Sequence, residues 1–144
     1  MPAWQRRRAG RSRSRSHACR RRHAEPGTDY PFFWGHPDER GAGEGEGATL
    51  NLPLPRGTDW STYEPALIQA VDWIAGKEPE LLIVSYGADT YEDDPISHFR
   101  LRTEDYVPMA RRIASLGVPT LIVMEGGYAV KALGANVAEF LGGF

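Results

Sequence analysis

The sequence predicts an α/β fold in which a parallel sheet is flanked by helices and preceded by a disordered basic tail. Two short runs of apolar and β-branched residues, Leu81-Leu82-Ile83-Val84-Ser85 and Thr120-Leu121-Ile122-Val123-Met124, each lead into a glycine-bearing turn. Stretches with helical spacing lie before, between and after them. The third observation is charge. Residues 1 to 24 hold nine arginines and no acid, while from Glu25 onward eight basic residues stand against all 19 acidic ones, leaving −11. At 144 residues the chain is one domain's worth or part of a larger one. The division expected is a tail over 1–24 and a folded portion over 25–144.

The tail contains Arg6-Arg7-Arg8, an alternation of arginine and serine from Arg11 to Ser16, and Arg20-Arg21-Arg22. So little apolar content cannot offset the chain entropy lost on folding. Three readings of it stay open: salt-sensitive binding to nucleic acid or another acidic partner, an organelle transit peptide, or a stretch with no selected role. The aromatic segment Tyr30-Pro31-Phe32-Phe33-Trp34-Gly35 follows, broken by proline and glycine as a loop is. The glycines from Gly41 to Gly47 are not read as a phosphate loop. They do not join a strand to a helix, and Glu44 and Glu46 would repel phosphate. The segment Asn51-Leu52-Pro53-Leu54-Pro55 that follows is short and contains two prolines.

The first helix is expected over Ser61 to Ala75. Ser61 and Glu64 form a capping box, Tyr63, Leu67, Val71 and Ile74 share a face, and Gly76 ends it. A strand at Leu81 to Ser85 follows, its continuous apolar run suiting burial on both faces. A second helix runs from about Asp105 to Leu116, with Met109, Ile113 and Leu116 inward and Arg111 and Arg112 toward water. Pro108 is tolerable only in its first turn. The strand at Thr120 to Met124 and a last helix, about Val130 to Leu141, complete the series, with Leu133, Val137, Phe140 and Leu141 inward. Strands joined through a helix run parallel. The residues that follow them, Asp89 and Tyr128, therefore emerge at one edge of the sheet, where chemistry sits in such folds.

Taken singly, these residues are ordinary. An aspartate after a strand is most often a turn or cap residue, and a tyrosine is most often packed with its hydroxyl in water. His36 and His98 read as loop or surface residues, and Asp93 and Asp94 as turn and strand-end acids. The lone Cys19 excludes an internal disulfide framework and fits a reducing compartment. No run approaches the ~20 apolar residues of a membrane span, and nothing apolar follows the basic start as in a secretory signal. The expectation is a soluble, cytoplasmic protein with no membrane partner and no readable oligomeric state.

In combination the motifs are specific. Tyr30-Pro31-Phe32-Phe33, the glycine run ahead of Asn51-Leu52-Pro53-Leu54-Pro55, Gly87-Ala88-Asp89-Thr90 with Asp94-Pro95, and Glu125-Gly126-Gly127-Tyr128 occur in that order. The pattern resembles the C-terminal part of the zinc-dependent histone deacetylase and acetylpolyamine amidohydrolase superfamily, in its class II-like branch. The resemblance covers roughly His23 to Phe144 and implies part of an arginase/deacetylase-like sheet. It implies that Asp89 ligates zinc, that Tyr128 hydrogen-bonds the substrate carbonyl, that Gly126 and Gly127 flank the acetyl pocket, and that Phe33 walls the acyl channel. The implied substrate is an acetylated lysine or polyamine, and the implied reaction is hydrolysis of its acetyl amide. His23 matches a family histidine with no assigned catalytic role.

The sequence also departs from that family. The His-His pair that supplies the base and the Asp-x-His motif that supplies two ligands do not occur: no two histidines are adjacent, and none of His17, His23, His36 or His98 follows an aspartate by two residues. A catalytic zinc takes three protein ligands and an open position. The expectation is a truncated deacetylase portion that holds no zinc and catalyses nothing alone. The alternatives are a non-catalytic interaction module with a nucleic-acid-binding arginine tail, or a portion complemented by a separate chain across the open sheet edge.

Overall fold

The computed structural model describes the backbone of Cys19–Ala24 and, with side chains, residues 35 to 144. The elements in order are β1 (Cys19–Ala24), a 3₁₀ turn at Gly43–Gly45, β2 (Thr49–Leu54), α1 (Trp60–Ala75), β3 (Leu82–Tyr86), 3₁₀ turns at Ala88–Thr90 and Thr103–Asp105, α2 (Tyr106–Ala114), β4 (Thr120–Met124) and α3 (Val130–Gly142). Among them β1 pairs in parallel with β2, from Cys19 opposite Thr49 to Ala24 opposite Leu54. β3 pairs in parallel with β4, from Leu82 opposite Thr120 to Tyr86 opposite Met124. The predicted strand–helix–strand unit is therefore β3-α2-β4.

Two segments for which no strand was expected are strands. Cys19–Ala24, the end of the segment read as a disordered tail, pairs along its whole length with β2, which contains Pro53. Pairing lets the backbone of an arginine-rich run satisfy its hydrogen bonds. The remaining readings of the basic tail, and Phe33, fall outside the described residues.

The helices keep their predicted places with different ends. Asp59, not Ser61, caps α1: its Oδ1 accepts Thr62 N at 3.1 Å and Ser61 Oγ at 2.7 Å. These bonds hold the Asp59 carboxyl below the ordinary carboxylate range. Glu64, freed from the expected capping box, pairs with Arg112 of α2 at 3.1 Å. In α2, Pro108 is the third residue, where its missing N–H has no intrahelical partner to lose. Tyr106 and Ala110 join Met109 and Ile113 on its buried face. In α3 the buried pair is Asn136 and Phe140, one helical turn apart, and Leu141 lies on the exposed side at 52 %. One residue's rotation about the helix axis carries Leu141 away from Phe140's face.

The core lies between these helices and one face of β3 and β4. Tyr86 at the end of β3 stacks on Phe140 at 3.9 Å and 12°, and meets Tyr106 edge-on at 6.0 Å. Leu67, Leu101, Tyr106 and Phe140 are fully buried around them. The strands are not covered on both faces. Leu82, Val84 and Ile122 pack against the core, whereas Ile83 is 62 % exposed and Leu121 53 %. Pleating sends alternate side chains to opposite faces, and the described helices cover only one of them. No helix among the described residues is long and apolar enough to cross a membrane.

Phe140→Ala removes the stacked centre of this core and is expected to lower the unfolding free energy by about 3–5 kcal/mol, read from urea denaturation. Asp59→Ala should cost distinctly less, because its cap is exposed. Equal losses would contradict the placement of the core.

Candidate active site

The site is built by what happens just past the ends of β3 and β4. Their pairing continues beyond the strands: Glu125 N donates to Tyr86 O at 2.8 Å, and Ala88 N to Gly126 O at 2.9 Å. The Ala88–Thr90 turn, which carries Asp89, is thereby laid against Gly126 and Gly127, with Tyr128 next in the chain. The predicted meeting of Asp89 with the glycine-tyrosine loop at one sheet edge is what the backbone builds.

Asp89 fits into space that two glycines leave open. A Cβ on Gly126 would stand 2.5 Å from Asp89 Oδ2, and one on Gly87 2.6 Å from Oδ1. Any larger residue at either place would displace the carboxylate. Gly127 is needed for two further reasons: its φ of +138° disfavours L side chains, and a Cβ there would meet Leu133 Cδ1 at 2.8 Å and Ala88 Cβ at 3.1 Å. The half-buried Asp89 carboxyl is pushed above the ordinary carboxylate range, mainly by burial, with the charge of Asp94 acting in the same direction.

Beneath the turn, the Tyr106 hydroxyl donates to Ala88 O at 3.2 Å and shares a hydrogen bond with Thr90 Oγ1 at 3.1 Å. Burial raises the Tyr86 and Tyr106 hydroxyls above the usual tyrosine range, so both stay neutral in the physiological range. Tyr86 donates to Asn136 O at 3.2 Å, tying the end of β3 to α3. Tyr128 differs from both: its ring is half exposed, and its backbone N donates to Asp94 Oδ2 at 2.7 Å.

Of the residues predicted for the site, the structure brings together Asp89, Gly126, Gly127 and Tyr128. His98 is exposed and His36 lies in a loop, as the surface reading of both expects. His23 lies in β1, opposite Pro53. Asp94 is the residue that sequence reasoning missed. It looks like a turn acid before a proline, yet it is buried and bonded to residues 34 and 35 positions away. The only local signal is that an acidic residue precedes Pro95 in a loop already carrying chemistry.

Asp89 is the candidate metal ligand. Among the described residues, no group of three or more histidines, cysteines, aspartates or glutamates is placed to hold a metal ion. A single carboxylate does not meet the needs of a catalytic zinc. The described residues therefore do not fit that ion by themselves.

Comparison with known proteins matches a family profile, the histone deacetylase domain, over residues 16–144. The chain belongs to the histone deacetylase domain family. Acetylpolyamine amidohydrolase 1 of Pseudomonas aeruginosa is 51 % identical over 122 residues, covering 85 % of this chain and 35 % of that protein. Acetylpolyamine amidohydrolase of Mycoplana ramosa is 47 % identical over 121 residues, covering 84 % of this chain and 36 % of that protein. A solved acetylpolyamine aminohydrolase from Burkholderia pseudomallei superposes with a TM-score of 0.84 at 38 % identity, covering 87 % of this chain and 36 % of that one. A histone deacetylase homologue from Aquifex aeolicus gives 0.76 at 27 % identity, covering 85 % of this chain and 33 % of that one. The fold is the α/β deacetylase fold, and the chain spans about a third of the length of these relatives.

The pKa of Asp89 has a direct consequence for this deacetylase-family chain. A carboxyl whose pKa is raised on folding favours the folded state at low pH, and that advantage is lost as pH rises through the folded value. With a chelator present, Asp89→Asn is expected to raise the Tm at pH 7 and to make no difference below about pH 3.5, under the unfolded carboxylate value. A lower Tm at pH 7 would show that the charged form is the one stabilised.

Proposed function

We propose that residues 35–144 carry one side of a zinc-dependent deacetylase site that hydrolyses the acetyl amide of an acetylated amine. The single observation behind this is the Asp89–Gly126 contact, which sets a candidate ligand beside the loop that presents Tyr128. The half-exposed Tyr128 is free to offer its hydroxyl to a substrate carbonyl oxygen, a donor role worth about 3 kcal/mol in comparable sites. Asp89 is one metal ligand of the three required. The others come from residues outside the described ones or from a second chain, and the described portion does not catalyse by itself. Three of the four named relatives are acetylpolyamine amidohydrolases or aminohydrolases by name, which favours a small acetylated polyamine over an acetyl-lysine peptide. The single cysteine supports a reducing, cytoplasmic setting.

A chimera tests this reading. Residues 35–144 replace the matching third of the Pseudomonas aeruginosa acetylpolyamine amidohydrolase 1. Zinc content and hydrolysis of acetylated polyamine and acetyl-lysine peptide are then measured beside the 144-residue chain. The chimera should hold about one zinc, in line with a three-ligand catalytic site, and hydrolyse the polyamine; the chain alone should do neither. Asp89→Ala in the chimera should abolish zinc binding. Tyr128→Phe should keep the metal and lower kcat about 10²–10³-fold. Undiminished hydrolysis by either variant would overturn the assignment.

A further inference from the structure

We propose that Asp94 is a positioning residue for Tyr128: from the Asp89 loop, its buried carboxylate holds the backbone of the glycine-tyrosine loop in place. Its relevance to catalysis rests on the deacetylase reading above; the structural claim does not.

The carboxylate is 6 % exposed. Among the described residues no lysine, arginine or histidine forms an ion pair with it, so backbone amides supply its hydrogen bonds. Oδ1 accepts Ile96 N at 3.1 Å, within its own loop. Oδ2 accepts Tyr128 N at 2.7 Å and Ala129 N at 3.3 Å, across the site. A buried charge without a counter-ion is retained where amide dipoles replace water, and bonds to a charged acceptor are the stronger kind. The bond of 2.7 Å to Tyr128 is the shortest of the three.

Asp94 also completes a helix end. Ala129 is the N-cap of α3 and has no side-chain acceptor. The first amides of a helix carry the positive end of its dipole, and a carboxylate from a different loop meets the Ala129 amide there. The same bonds that favour α3 thus fix the residue before it, Tyr128. On the other side, Ala88 N holds Gly126 O. The glycine-tyrosine loop is therefore held at Gly126 by Ala88 and at Tyr128 by Asp94, two residues of the loop that follows β3. A mobile tyrosine could not keep its hydroxyl aimed at one point on a substrate, and placement errors of about 1 Å cost roughly 10²-fold in rate.

The test is amide hydrogen exchange by NMR on the ¹⁵N-labelled full chain and on Asp94→Asn and Asp94→Ala. Asp94→Asn keeps the shape and removes the charge and one acceptor oxygen. The expected result is exchange of the Tyr128 and Ala129 amides about tenfold faster or more in Asp94→Ala, and an intermediate increase in Asp94→Asn. Amides of Met109, Ala110 and Ile113 in α2 should change less than about twofold, as local opening predicts. Unchanged exchange at Tyr128 and Ala129 would overturn the proposal. So would loss of protection throughout α2 and α3, or failure of both variants to fold, because Asp94 would then be a general structural residue. None of these readouts needs zinc or turnover, so a chimera that fails to hydrolyse substrate would sink the deacetylase reading and leave this one standing.

Discussion

The parallel pairing of β3 with β4 is the constraint from which the rest of the site follows. Parallel strands deliver their following loops to the same edge. Here the ladder runs two hydrogen bonds past the last paired residues, through Glu125 N to Tyr86 O and Ala88 N to Gly126 O. That extension is what converts neighbouring strands into touching loops. It leaves no room for a side chain at Gly126, because the Asp89 carboxylate stands where a Cβ would be. The glycines are consequences of the pairing, and the pairing is useful only because of the glycines.

The core supports this edge from below through hydroxyls and not through apolar contact alone. Tyr86 and Tyr106 each place a ring among buried neighbours and a hydroxyl on a carbonyl that matters to the site: Asn136 O in α3 and Ala88 O in the Asp89 turn. Burying a tyrosine requires such a partner, since an unpaired hydroxyl would be costly there. The stack of Tyr86 on Phe140 fixes the end of β3 relative to α3, and α3 begins directly after Tyr128. Packing quality in the aromatic core and the relative position of the two loops are therefore one property.

Much of this was legible in the sequence, for identifiable reasons. Apolar runs of five residues bounded by turns, and helices with i, i+3 and i+4 spacing, are local signals, so β3, α1, α2, β4 and α3 fall within a residue or two of their predicted places. Asp89 and Tyr128 were legible because chain direction follows from the strand–helix–strand order. Asp94 was not, because its partners lie 34 and 35 residues away and nothing near it in the chain marks them. β1 and β2 were missed for the opposite reason: Arg20-Arg21-Arg22 and two prolines are strong local signals against a strand, and backbone pairing overrode them. The capping box failed because α1 begins at Trp60, which puts Ser61 inside the first turn and leaves the N-cap place to Asp59.

The exposure of β3 and β4 bears on the function in the same way as the site does. Ile83, Leu121 and Val123 are residues of a sheet covered on both faces, yet they stand 62 %, 53 % and 38 % exposed. Asp89 is likewise a carboxylate held above its ordinary pKa by burial, beside glycines that leave it space, without companion ligands among the described residues. Exposed apolar side chains carry an unfavourable solvation free energy, and a half-buried lone carboxylate carries another. Both would be relieved by further atoms opposite the sheet's outer face and opposite its C-terminal edge. The side chains of β3, β4 and Asp89 thus suit a larger environment than the described residues provide.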